Sequence, residues 1–317
     1  MIITITAYSV KSNELTESKT SPQQYVAEIL TLMKKHAITK SKVDWKALTN
    51  EVNELSQNAK SIKETYPSIK QAFKLLGTNH TSLRTAKGKL AAYYSDLKCR
   101  ETINNSVPNL TNIGYIRVNS FSSQDPWEKD IFAFALQRKI AEQDRDNLLG
   151  WIVDLRWNSG GNMWPMIAGI GPLLGNGTSG YFINENESSW GYEDGSSVVN
   201  GKPVISVVSP YKLLSPSSKI AVLSSQKVAS SGEATLISFK GRENVRVFGS
   251  NSCGQSTSNR TFIISDGSRL NLTTSTMADK NKNLYGGVVN VDEIAPQNKV
   301  IDVAVRWLKS QQQLTSH

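Results

Sequence analysis

The pattern of apolar and polar positions changes character once along the chain. From Ser21, the stretch "SPQQYVAEILTLMKKHAI" sets Tyr25, Ile29, Leu32 and Met33 on one stripe at helical spacing, with Ser21 and Pro22 at cap and first-turn positions. "DWKALTNEVNELSQNA" and "YPSIKQAFKLLG" repeat that signature, the second closing at Gly77 as a helix C-cap would. This spacing predicts a helical domain over residues 1–105, with the polar, turn-rich "ETINNSVPNLTN" at its boundary. Beyond it short β runs alternate with helices: "IGYIRVNSF", "PWEKDIFAFALQRKIAEQ", "GWIVDLRW", "MWPMIAGIGPLL", "KIAVLSS", a helix after Ser230, "VRVFGS", "TFIIS", "LNLTTST" and a closing helix "VIDVAVRWLKSQQQ". Such alternation predicts an α/β core with a largely buried sheet over 106–317. Residues 176–216, rich in Gly, Asn and Ser, interrupt it and predict a flap or cap insertion.

Composition narrows the class. A chain of 317 residues with 38% apolar and 20% charged residues can bury a sizeable core. Its longest apolar stretches, such as "PMIAGIGPLLG", are broken by Gly and Pro well short of the roughly 20 residues a membrane helix needs, so no transmembrane segment is expected. "MIITITAYSV" lacks the basic lead-in of an export signal, so the compartment stays open at this point. The net charge of +9 is concentrated at one end: residues 1–100 carry 16 Lys/Arg against 8 Asp/Glu. These cations are scattered over helical faces without interleaved aromatics, which argues for solvated surface and against nucleic-acid binding. Cys99 and Cys253 have neither metal-ligand nor redox spacing and read as two unrelated thiols.

Two turns from strand to helix could carry chemistry. In "VDLRWNSGGNM", adjacent Gly160 and Gly161 leave main-chain N–H groups open to a substrate, as an oxyanion hole or phosphate cradle requires. No Lys-Ser/Thr pair follows, and Gly-x-Gly-x-x-Gly spacing is absent, which disfavours the phosphate cradle. In "KVASSGEATLISF", Ser230 with Glu233 three positions on is a capping-box pattern, and it equally suits a serine nucleophile above a helix. A nucleophile needs a base, and only three histidines exist. His36 lies at a helix end among lysines and His317 is terminal, whereas His80 sits in the loop "LLGTNHTSL". Asp154, Glu233, Asp279, Asp292 and Glu293 form no close pair at one-face spacing, and no metal-ligand cluster or cofactor motif is seen.

Taken in order, "IGYIRVNSF", "GWIVDLRWNSGGNM", "KIAVLSSQKVASSGEATLISFKGRENVRVFG" and "SDGSRLNLTTSTMADKNKNLYGG" resemble the core of the S41 serine peptidases, the tail-specific or C-terminal processing proteases. The resemblance covers roughly residues 110–296 and is nearest to the nisin-resistance-like branch, where "SPQQYV", "GTNHTS" and "NMWPMIAGIGPLL" also match. It implies a ClpP/crotonase-like α/β protease core behind an N-terminal helical domain. It also implies Ser230 as nucleophile, an oxyanion hole from the N–H groups of Ser231 and of Gly161 or Gly160, and a substrate wall at Asn162, Met163 and Trp164. The lysine base of the processing proteases is replaced by Gln255 in "NSCGQST", and a neutral amide cannot take a proton. In the histidine-using branches the base falls at His80, which can act as base and then acid. Asp279 and Glu233 are the candidates for a third, orienting member.

About thirty residues separate His80 from the first core strand, too few for the PDZ domain of the processing proteases. The function expected is a serine endopeptidase acting on peptides or unfolded protein tails through an acyl-enzyme, without a cofactor. Cationic lanthionine-containing antimicrobial peptides are one substrate class the resemblance implies, although a basic protein does not attract them. The rival expectation is a non-catalytic peptide or hydrophobic-ligand binding protein on the same fold. Family habit favours the cell envelope, and the oligomeric state is open.

Overall fold

The computed structural model describes residues 20–104 and 106–310. The opening apolar stretch, His317 and the last residues expected in the closing helix lie outside the described residues. Three N-terminal helices appear where the apolar stripes predict them: α1 (Pro22–His36), α2 (Trp45–Ser56) and α3 (Tyr66–Leu76). Ser21 and Asp44 accept from the main chain at the starts of α1 and α2, and Gly77 ends α3 in the left-handed conformation. The apolar stripe of these helices does not form a core by itself. Tyr25, Ile29, Met33, Phe73 and Leu76 bury against Leu83, Ile264, Leu270 and Leu272, carried on or beside four strands: β1 (Ser82–Arg84), β2 (Leu90–Tyr93) and, far along the sequence, β11 (Thr257–Ile263) and β12 (Arg269–Asp279).

The central layer is a five-stranded parallel sheet. It uses β3 (Ile113–Arg117), β4 (Gly150–Asp154), β9 (Ile220–Ser224), β10 (Val245–Gly249) and β13 (Glu293–Ile294), in the order β13-β10-β9-β4-β3. All five residues of β4 and of β9 are buried, as a parallel sheet covered on both faces requires. Trp151, Val153 and Val222 face α4 (Pro126–Ala141), α5 (Met163–Leu174) and α6 (Ser231–Ile237), while Ile152, Ala221 and Leu223 face α7 (Val300–Lys309).

The Gly- and Ser-rich insertion forms four antiparallel strands, β5 (Gly177–Ile183), β6 (Glu187–Glu193), β7 (Ser196–Val199) and β8 (Lys202–Ser206). They continue the antiparallel sheet through β12, which pairs with β1, β5 and β11. Trp190 and Tyr192 anchor the insertion on the central core. One long strand, β12, thus links the helical region, the insertion and the α/β layer, and the segments that bear the candidate side chains meet around it.

The two cysteines are not independent thiols. Cys99 and Cys253 form a disulfide, with Cα atoms 5.0 Å apart. Their separation of 154 residues leaves no sequence signal, because the pairing depends on the segment after β2 folding back against the turn between β10 and β11.

Candidate active site

The first turn grows out of β4. The Asp154 carboxylate takes two bonds from the Arg156 guanidinium, both 2.8 Å, and one from Tyr115 Oη at 2.6 Å. Asp154 and Arg156 are almost wholly buried, so each balances the other's charge in a region where an unpaired ion would cost several kcal/mol. That pair fixes the backbone as it leaves the sheet. Asn158 then organises the glycines: its Oδ1 accepts from Gly160 N at 3.0 Å, and its carbonyl accepts from Ala229 N in the second turn at 3.2 Å.

Gly161 has φ +119°, and a Cβ there would lie 2.0 Å from the carbonyl oxygen of Phe121. Only glycine allows this close approach. The contact is a bridge in which Phe121 N donates to Gly160 O and Asn162 N donates to Phe121 O. The N–H of Gly161 takes no part in that bridge. The Gly160 N–H is taken up by Asn158, which distinguishes the two glycines. Ser231 Oγ donates to Gly161 O at 2.7 Å, locking the two turns together with the Ser231 main-chain N–H beside the glycines.

Ser230 stands between them with φ +54°, a conformation costing about 1–3 kcal/mol in a residue with a Cβ. The surrounding structure holds it there through Glu233. This fully buried carboxylate accepts from Ser230 N (2.8 Å), Gly254 N (2.8 Å), Gln255 N (2.8 Å) and Ser252 Oγ (2.5 Å). Burial pushes its carboxyl up to about 7, and the four donors act in the opposite sense by stabilising the ionised form. Glu233 therefore closes the helix start onto the main chain as the capping-box pattern predicts. The Ser230 hydroxyl lies 2.8 Å from His80 Nε2.

His80 reaches this point from the loop after α3. Thr81 Oγ1 bonds the Thr273 hydroxyl at 3.0 Å, and Asn259 Nδ2 donates to the His80 carbonyl at 2.9 Å. Gln255 Nε2 donates to the Asn79 carbonyl and to Tyr93 Oη, both at 2.8 Å. Gln255, standing where the processing proteases have lysine, is therefore a strut between the Ser230 region and the loop of His80. The other ring nitrogen, Nδ1, is 2.9 Å from Thr257 Oγ1. Removal from water pushes the imidazole down to about 4, with hydrogen bonding to the Thr257 main chain opposing the shift.

The residues expected from the sequence divide into two groups. Ser230, His80, Ser231, Gly160 and Gly161 come together. Asn162, Met163 and Trp164 follow directly, but Asn162 Oδ1 caps α5 through Trp164 N at 3.1 Å, Met163 is packed into the core, and Trp164 meets Phe182 edge-on. Neither expected orienting carboxylate touches the histidine. Asp279 accepts from Asn281 N, Asn283 N and Tyr285 Oη and shapes the turn after β12, whereas Glu233 holds the Ser230 main chain. The group at Nδ1 is the neutral Thr257, which sequence reasoning misses because nothing marks a threonine 177 positions away as a partner. Among the described residues, no group of His, Cys, Asp or Glu is arranged to hold a metal ion.

Nε2 of His80 thus faces the Ser230 hydroxyl while Nδ1 faces Thr257, and Gly160 of the first turn lies against Ser230 and Ser231 of the second. This is the equipment of nucleophilic acyl transfer. Residues 112–295 match the model of peptidase family S41, and the chain belongs to that family. It is 30% identical over 295 residues to a nisin-resistance protein of Lactococcus lactis subsp. lactis, a match covering 92% of this chain and 88% of that protein. Its fold is similar to that of a lipoprotein from Streptococcus agalactiae, with a TM-score of 0.73 at 24% identity over 97% of this chain and all of that one. It is also similar to the photosystem II D1 C-terminal processing protease, with a TM-score of 0.56 at 12% identity over 91% and 97% of the two chains.

Proposed function

We propose that this member of family S41 is an active serine endopeptidase with Ser230 as nucleophile and His80 as its base. The observation that carries the reading is the 2.8 Å contact between Ser230 Oγ and His80 Nε2, made by two segments 150 residues apart. His80 takes the hydroxyl proton as Ser230 Oγ bonds the scissile carbonyl carbon, and the N–H groups of Gly161 and Ser231 bind the oxyanion. The imidazolium then gives that proton to the departing amine, and water releases the acyl group by the same route in reverse. The reaction needs the tautomer with the proton on Nδ1, whose neighbour Thr257 Oγ1 can accept it.

Substrates in this reading are peptides or unfolded protein tails. Because a nisin-resistance protein is a relative, antimicrobial peptides are the first class to test. The lipoprotein relative and the Cys99–Cys253 disulfide both favour the cell envelope. The test is labelling with a fluorophosphonate probe. Wild type should label, Ser230→Ala should not, and His80→Ala should label at least a hundredfold more slowly, in line with the roughly 10²–10⁴ contributed by general acid–base catalysis. A wild type that stays unlabelled, or a Ser230→Ala variant that labels equally well, would sink the proposal.

A further inference from the structure

Helix α4 is apolar on two opposite sides. At about 3.6 residues per turn, Ala133, Leu136, Gln137 and Ile140 fall on one side, and they are its buried residues. The other side carries Trp127, Ile131 and Phe134 in one line, 72%, 48% and 52% exposed, with the exposed Arg138 next along the same line. By contrast, α2 and α3 each expose a single large apolar side chain, Leu55 and Leu75, as an ordinary surface helix does. Three in line make a patch. Val208, 85% exposed, extends it, because its neighbour Val207 packs with Ala133 of α4.

The charges around the patch say what covers it. From its N-cap Asp125 to its C-cap Glu142 the helix carries four carboxylates against three cations, although the whole chain stands at +9. A face made for an anionic lipid surface is rimmed with cations; this one is not. Its charges are sorted along the axis instead, with Asp125, Glu128 and Asp130 at the start and Arg138 and Lys139 at the end. Glu128 and Lys139 are exposed on the same flank of the stripe but about 16 Å apart along the axis, too far to meet within one helix. Neither forms an ion pair with any described residue. An antiparallel second copy of α4 brings them together. A two-fold axis placed between Ile131 and Phe134 sets Phe134 of one copy on Ile131 of the other, Arg138 over the Trp127 ring and Lys139 beside Glu128, each contact being made twice. Arg138 gives up only its exposed 3.3 Å pair with Glu142. We propose that the face of α4 formed by Trp127, Ile131 and Phe134 is a self-association surface, through which two copies of this chain pair antiparallel in a reversible homodimer.

The test is sedimentation velocity on the full chain from about 1 to about 300 μM, a range that brackets the micromolar dissociation constant of a small, transient interface. Wild type should pass from monomer to dimer across it. Phe134→Glu should stay monomeric throughout, with an unchanged melting temperature because the side chain is exposed. Glu128→Lys and Lys139→Glu should each weaken the dimer about tenfold, since symmetry counts every contact twice. The double variant should bring the dimer back to near wild-type strength, which only the antiparallel pairing of these two side chains gives. A wild type that is monomeric at every concentration overturns the proposal. So does a dimer that survives Phe134→Glu, which would use another face, and so does a double variant that fails to recover. If a monomeric wild type instead floats with vesicles of phosphatidylglycerol and phosphatidylcholine and Trp127→Ser does not, the patch belongs to a lipid surface and the proposal falls as well.

Discussion

The two halves of the site are built in opposite ways. The Ser230 half is over-determined: Ser230 is a strained residue wedged between a buried helix start and a glycine turn, and Glu233, Asn158 and Ser231 each tie its main chain or its neighbours from a different direction. The histidine's half hangs on a few contacts made across long stretches of sequence, through Gln255, Asn259, Thr257 and Thr273. Strain can be held only where packing is dense, so the distorted residue belongs to the α/β core. The loop that must meet it is set by side-chain hydrogen bonds, each worth about 1 kcal/mol net. Position on the Ser230 side is thus a property of the fold, and on the His80 side a property of a few side chains.

This contrast can be broken at either end. Gly161→Ala should do the most damage. Its methyl group would collide with the Phe121 carbonyl and twist the N–H away from the oxyanion position, so kcat should fall about 10²–10³-fold, with a lowered melting temperature in the same preparation. A variant retaining more than about a tenth of wild-type kcat would show that Gly161 N–H is not a donor to the transition state.

Gln255→Leu should cost less and act differently. It removes the strut to Asn79 and Tyr93 without touching Ser230, so kcat/KM should fall about 10–100-fold through misplacement of the imidazole. Fluorophosphonate labelling should slow in parallel while the melting temperature moves by only a few degrees. An equal loss of stability and activity in Gln255→Leu would contradict the contrast between the two halves.

The pH dependence offers a gentler test. In the proposed mechanism His80 must be neutral, and burial holds its pKa down near 4. The acid limb of kcat/KM should therefore fall near pH 4 instead of the ordinary histidine range around 6.5. The same shift has a stability sign: between those values the unfolded chain binds a proton that the folded protein does not. The contribution of neutral His80 is fully present above about pH 6.5 and is lost as pH falls toward 4. Replacing Thr257 by Val should lower the rate by less than about tenfold and leave the limb in place, because it removes a side-chain partner of Nδ1 and keeps both the base and the Thr257 main chain.

What is legible in the sequence follows the same division. The helices, the buried strands and the two Gly- and Ser-rich turns are local patterns, and they appear where the apolar spacing and cap residues put them. Ser230 and Gly161 can be picked out because each sits at a strand-to-helix turn with its own signature. His80 cannot be picked out on pattern alone; the family resemblance singles it out. Thr257, Gln255 as a strut, and the redirected role of Glu233 depend on contacts between distant segments that leave no periodicity. The four strands of the insertion show in the sequence only as a flap, because Gly, Asn and Ser blur the alternation that marks a half-buried strand.

The disulfide has a practical meaning for anyone who handles this protein. Cys253 immediately precedes Gly254 and Gln255, two of the residues whose N–H groups hold Glu233, and Cys99 clamps that turn from a distant part of the sequence. A sample made in a reducing cytosol would be a mixture, part bridged and part carrying two free thiols, with the turn behind the nucleophile less firmly held in the second. Specific activity would then track thiol titre from batch to batch, and counting free thiols becomes the first assay of quality for any preparation.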